Sequence, residues 1–257
     1  EPIGMSGVRL ESKVHIVTGG VSAAQNIVKC IERCDLQVSD IILQPLASSA
    51  AVLTEDEKEL GVCLVDIGGG TTDIAVFTDG AIRHSAVIPI AGDQVTNDIA
   101  IALRTPTKYA EEIKIKHACA LSRLTDGDAI IEVPGTAQRQ LREVSQKILS
   151  NVVEARYEEL FTLVLAELRR GGFDDLIAAG IVLTGGASKL NGVVELAEQV
   201  LQMPVRLGTP QNIGGMVEVI DNPLYATGVG LLLTGHQHYR QGKTESVTSG
   251  EHKRLWA

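Results

Sequence analysis

The chain has 257 residues, a formal charge of −9 at pH 7 and a hydrophobic fraction of 44%, enough for one large α/β domain or two modest ones around a real core. The acidic balance argues against a nucleic-acid partner, because phosphate binding needs a concentrated basic face. No run approaches the roughly 18 consecutive apolar residues of a membrane span, and no basic-then-apolar signal peptide opens the chain. The four cysteines, Cys30, Cys34, Cys63 and Cys119, show no C-x-x-C spacing and lie in apolar segments. They are expected as buried thiols in a reducing cytoplasm, not as metal ligands or disulfides.

In chain order, alternation predicts a strand over residues 14–17, then a Gly19-Gly20 turn and a helix over 23–34 capped by Ser22. Residues 41–43 read as a short strand. The small apolar run at 46–53 reads as a buried, closely packed helix, and the charged residues 54–59 as a surface loop. Strands are expected at 61–66, 73–77 and 82–90 as a meander, with a turn at Thr78-Asp79-Gly80. Helices follow over 94–103 and 109–121, a turn at 126–128 and a strand at 129–133. Residues 141–168 carry apolar positions at helical spacing and predict one long amphipathic helix closed by Gly171-Gly172. A buried strand at 181–183, a helix at 193–201, a strand at 205–207 and a helix rich in small residues at 223–233 complete the series. Beyond His236 the composition is polar and aperiodic, and a disordered tail is expected. Strands alternating with helices indicate a mostly α/β architecture with an antiparallel hairpin.

The strongest motif is LVDIGGGTTD at 64–73. A buried strand delivers Asp66, then three glycines, two hydroxyls and a returning strand. Glycines let backbone N–H groups approach a phosphate with no Cβ in the way, and consecutive N–H groups form an anion-binding concavity. Gly68, Gly69, Gly70 and Thr71 are therefore candidate phosphate contacts. Asp66 would repel phosphate directly. Its expected task is to hold Mg²⁺ through water or to orient an attacking water. No Gly-Lys-Ser/Thr follows, which excludes a Walker A loop, and the returning strand excludes a Rossmann fingerprint. A plain hairpin turn is the bland alternative.

A second strand-to-glycine turn, IVLTGGASKLNG at 181–192, repeats the logic. Gly185 and Gly186 would let a purine or the α-phosphate lie close; an ordinary strand-to-helix turn is the alternative. Between the two turns, Glu111 and Lys114 share a helix face. A carboxylate can accept ribose hydroxyls and a lysine stem can cover a purine edge; a solvated Glu–Lys pair is the alternative.

Together with QPLASS at 44–49, these motifs in this order resemble the actin, Hsp70 and sugar-kinase superfamily. EPIGMSGVRL at 1–10, VLTEDEKELGV at 52–62, GAIRH at 80–84, Val87-Ile-Pro and AAGIVLTGGA at 178–187 resemble the bacterial cell-division family FtsA, from residue 1 to about residue 235. The resemblance implies an actin-like (ribonuclease H-like) ATPase fold, mixed sheets flanked by helices, with an incomplete first lobe. Residues 1–18 would be the remnant of the family's extra subdomain, about 5–18 being its last strand. Residues 19–60 would belong to the first lobe and 61–180 to the second, with 61–107 and 181–215 its core and 108–180 an outer subdomain. Residues 216–235 would return to the first lobe, and 236–257 would form the tail. The chain is expected to be a fragment, with the first phosphate loop lying before Glu1.

By the same resemblance, ATP and Mg²⁺ are the cofactors. Gln44 would place the hydrolytic water and Asp66 would attend the metal. Glu111 and Lys114 would contact ribose and purine, and Gly185, Gly186 and Lys189 would form the adenosine pocket. Residues 222–228 would be the second connecting helix. Arg156 and Glu159 would contact the acidic and apolar C-terminal tail of FtsZ, a solvated helix charge being the alternative for Arg156. Further partners implied are a second copy in a filament or dimer, other division proteins, and the inner membrane through a C-terminal helix of which residues 250–257 are at most the opening. The expected location is the cytoplasmic face of the inner membrane at the division site, or the cytoplasm if the anchor is missing. The expected role is an ATP-binding polymer that links FtsZ to the membrane and is at most a weak ATPase. A pilus-assembly scaffold of actin type is the nearest rival. A sugar or acetate kinase would need a second-substrate carboxylate that the sequence does not place, and a chaperone-like ATPase a peptide-binding domain.

Overall fold

The computed structural model describes residues 4–12, 14–126, 129–135, 141–211, 213–214 and 220–240. The strand expected near residues 5–18 does not form. The described residues there carry no regular structure and are exposed except half-buried His15, Val8 and Ile16 among the exposed ones. An extended segment becomes a strand only against a sheet edge, and the hydrogen bond found from the described residues here to β-structure is made by a side chain, His15, whose Nε2 lies 3.1 Å from Ser85 Oγ. Helix α1 (Val21–Glu32) begins earlier than expected. Gly20 is its N-cap, with no side-chain cap, so Ser22 lies inside the helix. None of its residues is buried, and the expected strand at 41–43 is irregular.

Helix α2 (Gln44–Val52) has Pro45 in its first turn, where a missing N–H costs nothing. It buries Ala47, Ser48, Ser49, Ala51 and Val52. The expected loop after it is a helix, α3 (Glu55–Leu60), held by a capping box in which Thr54 and Glu57 satisfy each other's backbone N–H. Then come β1 (Val62–Ile67), β2 (Thr72–Thr78) and β3 (Ala81–Ile88), the expected meander. Helices α4 (Gly92–Leu103) and α5 (Thr107–His117) follow; α5 stops four residues short of the expectation.

Strands β4 (Ile130–Val133) and β5 (Arg142–Ser145) form a separate hairpin. The residues of β5 fall in the segment expected to open the long helix, which starts later, as α6 (Gln146–Gly171) with Ser145 as its cap. Pairing with β4 overrides the local helical pattern. Strand β6 (Ile181–Thr184), helix α7 (Val193–Leu201) and strand β7 (Val205–Leu207) lie where expected. A short 3₁₀ turn, Pro223–Tyr225, leads into α8 (Ala226–Arg240). The tail expected from residue 236 is thus helical to Arg240. The rest of it, like Gly127 and Asp128 of the expected turn, lies outside the described residues.

The main sheet has the order β3-β2-β1-β6-β7. Strand β1 is central, antiparallel to β2 and parallel to β6. Successive side chains of a strand face opposite sides, so the wholly buried β1 feeds two cores. Cys63, Val65 and Ile67 join one with α4 to α7; Val62 and Leu64 join the other, with α2 and α8. Each fully buried aliphatic side chain contributes about 1.5–3 kcal/mol. Asp66, next in the series after Val62 and Leu64, is therefore delivered to the α2–α8 side. Helices α2 and α8 cross so closely that a Cβ on Gly230 would overlap the Ala47 carbonyl.

Candidate functional site

Asp66 is only 3% exposed. A carboxylate so placed needs donors, and the two crossing helices supply them. Ser48 Oγ donates to Asp66 Oδ2 at 2.7 Å, Gln44 Nε2 at 3.4 Å and Thr227 Oγ1 at 3.5 Å. The Ser48 and Thr227 hydroxyls also meet each other at 2.9 Å.

The second glycine turn leans on the same carboxylate. Parallel pairing sets Thr184 beside Asp66, so the following Gly185 crosses the end of β1. Its backbone, φ 87° and ψ 163°, lies in a region essentially reserved for glycine. A Cβ there would overlap the Ile67 carbonyl and sit 2.5 Å from Asp66 Oδ1. Thr184 Oγ1 donates to the Gly208 carbonyl at 3.0 Å and fixes the strand end.

The first glycine turn is open to solvent at Gly69, Gly70 and Thr71. Gly68 N–H closes it by donating to the Thr71 carbonyl at 3.0 Å. Two N–H groups from the first turn of α4 hold its outer side, Gly92 to the Gly68 carbonyl at 3.1 Å and Asp93 to the Gly69 carbonyl at 2.7 Å. Nothing lies within 4 Å of where a Gly70 Cβ would be. Asp73, half-buried, stands opposite Asp66 across β1 and β2. Burial and then the Asp66 charge push its carboxyl up, against a hydrogen bond from Thr71.

Glu111 and Lys114 pair at 2.7 Å. Lys114 Nζ also donates to the Gly92 carbonyl at 3.0 Å and to Thr96 Oγ1 at 2.8 Å, and Thr96 Oγ1 donates to Glu111. Burial alone would raise the Glu111 carboxyl, but the hydrogen bonds from Lys114 and Thr96 and the Lys114 charge leave it below its ordinary value. A Cβ on Gly92 would meet the Gly68 carbonyl at 3.3 Å, Ala187 Cβ at 3.4 Å and Lys114 Nζ at 3.5 Å. Gly92 is thus the point where both glycine turns and the Glu111–Lys114 pair converge. Buried Tyr157 secures the second turn, its hydroxyl donating to the Ala187 carbonyl at 2.7 Å.

Gln44, Asp66, Gly68, Gly69, Gly70, Thr71, Glu111, Lys114, Gly185 and Gly186 therefore surround one region. Lys189 is exposed at the end of the 3₁₀ turn Gly186–Lys189. Arg156 and Glu159 form a separate group on α6. Arg156 grips Asp98 of α4 through two nitrogens at 2.5 and 3.0 Å and reaches Glu159 at 2.6 Å. These residues, with Val152 and Ala155, line a surface cavity of about 260 Å³. Sequence reasoning passed over Ser48, Asp73, Gly92, Thr96 and Thr227. Asp73 and Ser48 stood inside quoted motifs and Gly92 opened a helix; the two threonines gave no local signal. Cys30 and Cys34 are exposed on and just beyond α1, contrary to expectation, while Cys63 and Cys119 are buried. Helix α1 packs too lightly to cover its thiols.

Residues 63–230 match the family model described as cell division protein FtsA. The chain belongs to the FtsA family. FtsA of Pseudomonas aeruginosa is 65% identical over 98% of the chain, which spans 60% of that relative's length. Among solved structures, MreB5 of Spiroplasma citri bound to AMPPNP superposes with a TM-score of 0.70 at 18% identity, over 88% of this chain and 68% of that one. A MamK double helical filament gives 0.62 at 15%, over 85% and 66%. The chain therefore has the actin-like fold.

Proposed function

We propose that this part of an FtsA-family division protein binds ATP with Mg²⁺ between the two glycine turns, and that nucleotide binding governs self-association. The carrying observation is the convergence of Gly68, Gly185 and Lys114 on Gly92 and Asp66. In this reading the N–H groups of Gly69, Gly70 and Thr71 hold phosphate oxygens, Glu111 takes the ribose hydroxyls, and the Lys114 stem and Gly186 flank the purine. Lys189 closes the outer edge. Asp66, with Gln44 beside it, attends the metal and the water. The residues fit the group: Mg²⁺ is usually held by one or two carboxylates, with phosphates and water completing the shell, and Asp66 and Asp73 supply that number. When bound, the ion would neutralise phosphate charge. Hydrolysis would be slow, because the group that adjoins Gln44 among the described residues is the weakly basic Asp66 carboxylate.

The MreB and MamK neighbours, one bound to AMPPNP and one a filament, support nucleotide binding and self-assembly. Family membership supports action at the division site. The wider reading is that the whole protein links the C-terminal tail of FtsZ, through Arg156, Glu159 and their cavity, to the cytoplasmic face of the membrane alongside other division proteins. Residues 1–18, 19–60, 61–180, 181–215 and 216–235 would divide between the extra subdomain and the two lobes as set out above. Among the described residues no helix is long and apolar enough to cross a membrane; the assignment of attachment to a C-terminal amphipathic helix comes from the resemblance to the family.

The test is titration of the full-length protein with a fluorescent ATP analogue. Gly70→Val fills the open cradle without touching the fold. We expect at least a tenfold loss of affinity, about 1.4 kcal/mol, with unchanged melting. A wild type that binds no nucleotide, or a variant that binds equally well, refutes the reading.

A further inference from the structure

The Ser48–Thr227 hydroxyl pair has no part in the phosphate cradle, yet it occupies the buried face of the carboxylate assigned to the metal. Ser48 is fully buried, and α2 places it beneath Asp66. Thr227 stands in the first turn of α8, 179 residues away in sequence. Their oxygens are 2.9 Å apart and converge on one carboxylate oxygen, Asp66 Oδ2, at 2.7 and 3.5 Å. The other oxygen, Oδ1, lies against Gly185, where only a missing Cβ makes room. The two oxygens of Asp66 are thus divided: Oδ2 belongs to the helices and Oδ1 to the glycine turn.

We infer that Ser48 and Thr227 are positioning residues, which fix the rotamer of Asp66 so that Oδ1 stays turned to the side of the glycine turns, where a cation would draw on it, and which tie the α2–α8 crossing to the state of the cleft. The inference rests on the proposed nucleotide reading and deepens it. The physical reason is rotational. A carboxylate bonded through one oxygen cannot turn about its terminal torsion without breaking that bond, and hydrogen bonds to a charged group are the strong ones. The chain of Thr227, Ser48 and Asp66 spans both helices because they touch at Gly230 and Ala47. A shift of α8 over α2 therefore changes the donor set of Asp66, and a cation that draws on Asp66 biases the crossing in return.

The experiment uses the full-length protein and a fluorescent ATP analogue, titrated with Mg²⁺ and, separately, in EDTA. Ser48→Ala and Thr227→Val each remove a hydroxyl with little change in volume. Each is expected to raise the Mg²⁺ needed for half-maximal binding about five- to tenfold, while affinity in EDTA stays within about twofold of wild type, a shift small beside one hydrogen bond to a charged group. Thr227→Ser, which keeps the hydroxyl, should restore the wild-type Mg²⁺ dependence. In an Asp66→Asn background, Ser48→Ala should add almost nothing, because the partners act as one unit. If Thr227→Val misfolds, Ser48→Ala carries the test with Asp66→Asn. A purely structural role predicts equal losses with and without Mg²⁺, and that result overturns the inference, as does a Mg²⁺ titration unchanged from wild type. A wild type that binds no nucleotide overturns the parent reading; one that binds with no Mg²⁺ dependence overturns only this one.

Discussion

Replacing Gly185 by alanine should unfold the protein at markedly lower denaturant, through two additive causes. The first is conformational. At φ 87° and ψ 163° a non-glycine residue carries about 1–3 kcal/mol of strain. The second is steric. The new Cβ would overlap the Ile67 carbonyl and lie 2.5 Å from Asp66 Oδ1; both belong to the central strand, so neither can yield easily. Overpacking of this kind costs about 1–3 kcal/mol. The sum, about 2–6 kcal/mol, is a large part of the 5–15 kcal/mol that typically separates folded from unfolded domains. Equilibrium urea unfolding of wild type, Gly185→Ala and Gly70→Ala gives the comparison. Gly70 has no positive φ and open space around its Cβ position, so its alanine variant should match wild type or gain a few tenths of a kcal/mol. A Gly185→Ala midpoint implying a loss under about 1 kcal/mol would refute the argument that β1 and the second turn touch through bare backbone.

Ser150 Oγ is buried with no hydrogen-bond partner among the described residues; Ser150→Ala removes that unmet group and should raise the melting temperature by about 2–4 °C, for roughly 1 kcal/mol gained. Native-state titration with a thiol reagent should label Cys30 and Cys34 quickly. Cys63, whose thiol burial pushes up to about 12, and buried Cys119 should react only on unfolding; four fast thiols would contradict the fold. Arg206 clasps Glu57 at 2.6 and 2.8 Å. Burial raises the Glu57 carboxyl, but the bonds from Arg206 and Thr54 and the Arg206 charge bring it below its ordinary 4.5. A depressed folded value contributes stability that is present above the unfolded value and lost as pH falls through the folded one. Stability should therefore decline below about pH 4.5, and less steeply in Glu57→Gln, as followed by urea midpoints against pH.

Much of the site was legible because its chemistry is local. Glycine runs after buried strands announce bare backbone wherever they occur, and the two turns prove to be neighbours because β1 and β6 pair in parallel at Asp66 and Thr184. Glu111 and Lys114 were readable as a shared helix face. The capping box of Thr54 and Glu57 was also in the sequence, and reading that segment as a loop overlooked it. Other features had no local trace. Residues 142–145 look helical until β4 offers an edge. Residues 14–17 alternate like a strand, and the resemblance extends that strand to about 5–18, but the described residues there find no strand alongside. Ser48 reads as one small residue among several until α8 brings Thr227 to it.

The α/β periodicity, the bare-backbone turns and the acidic residue at the end of a buried strand are written in the residue order, since they depend on spacing along one segment. Which side of the sheet Asp66 serves, and which hydroxyls hold it, follows from packing between distant segments. Strand parity sends Asp66 toward α2 and α8, and only their close crossing at Ala47 and Gly230 brings in donors from distant parts of the chain.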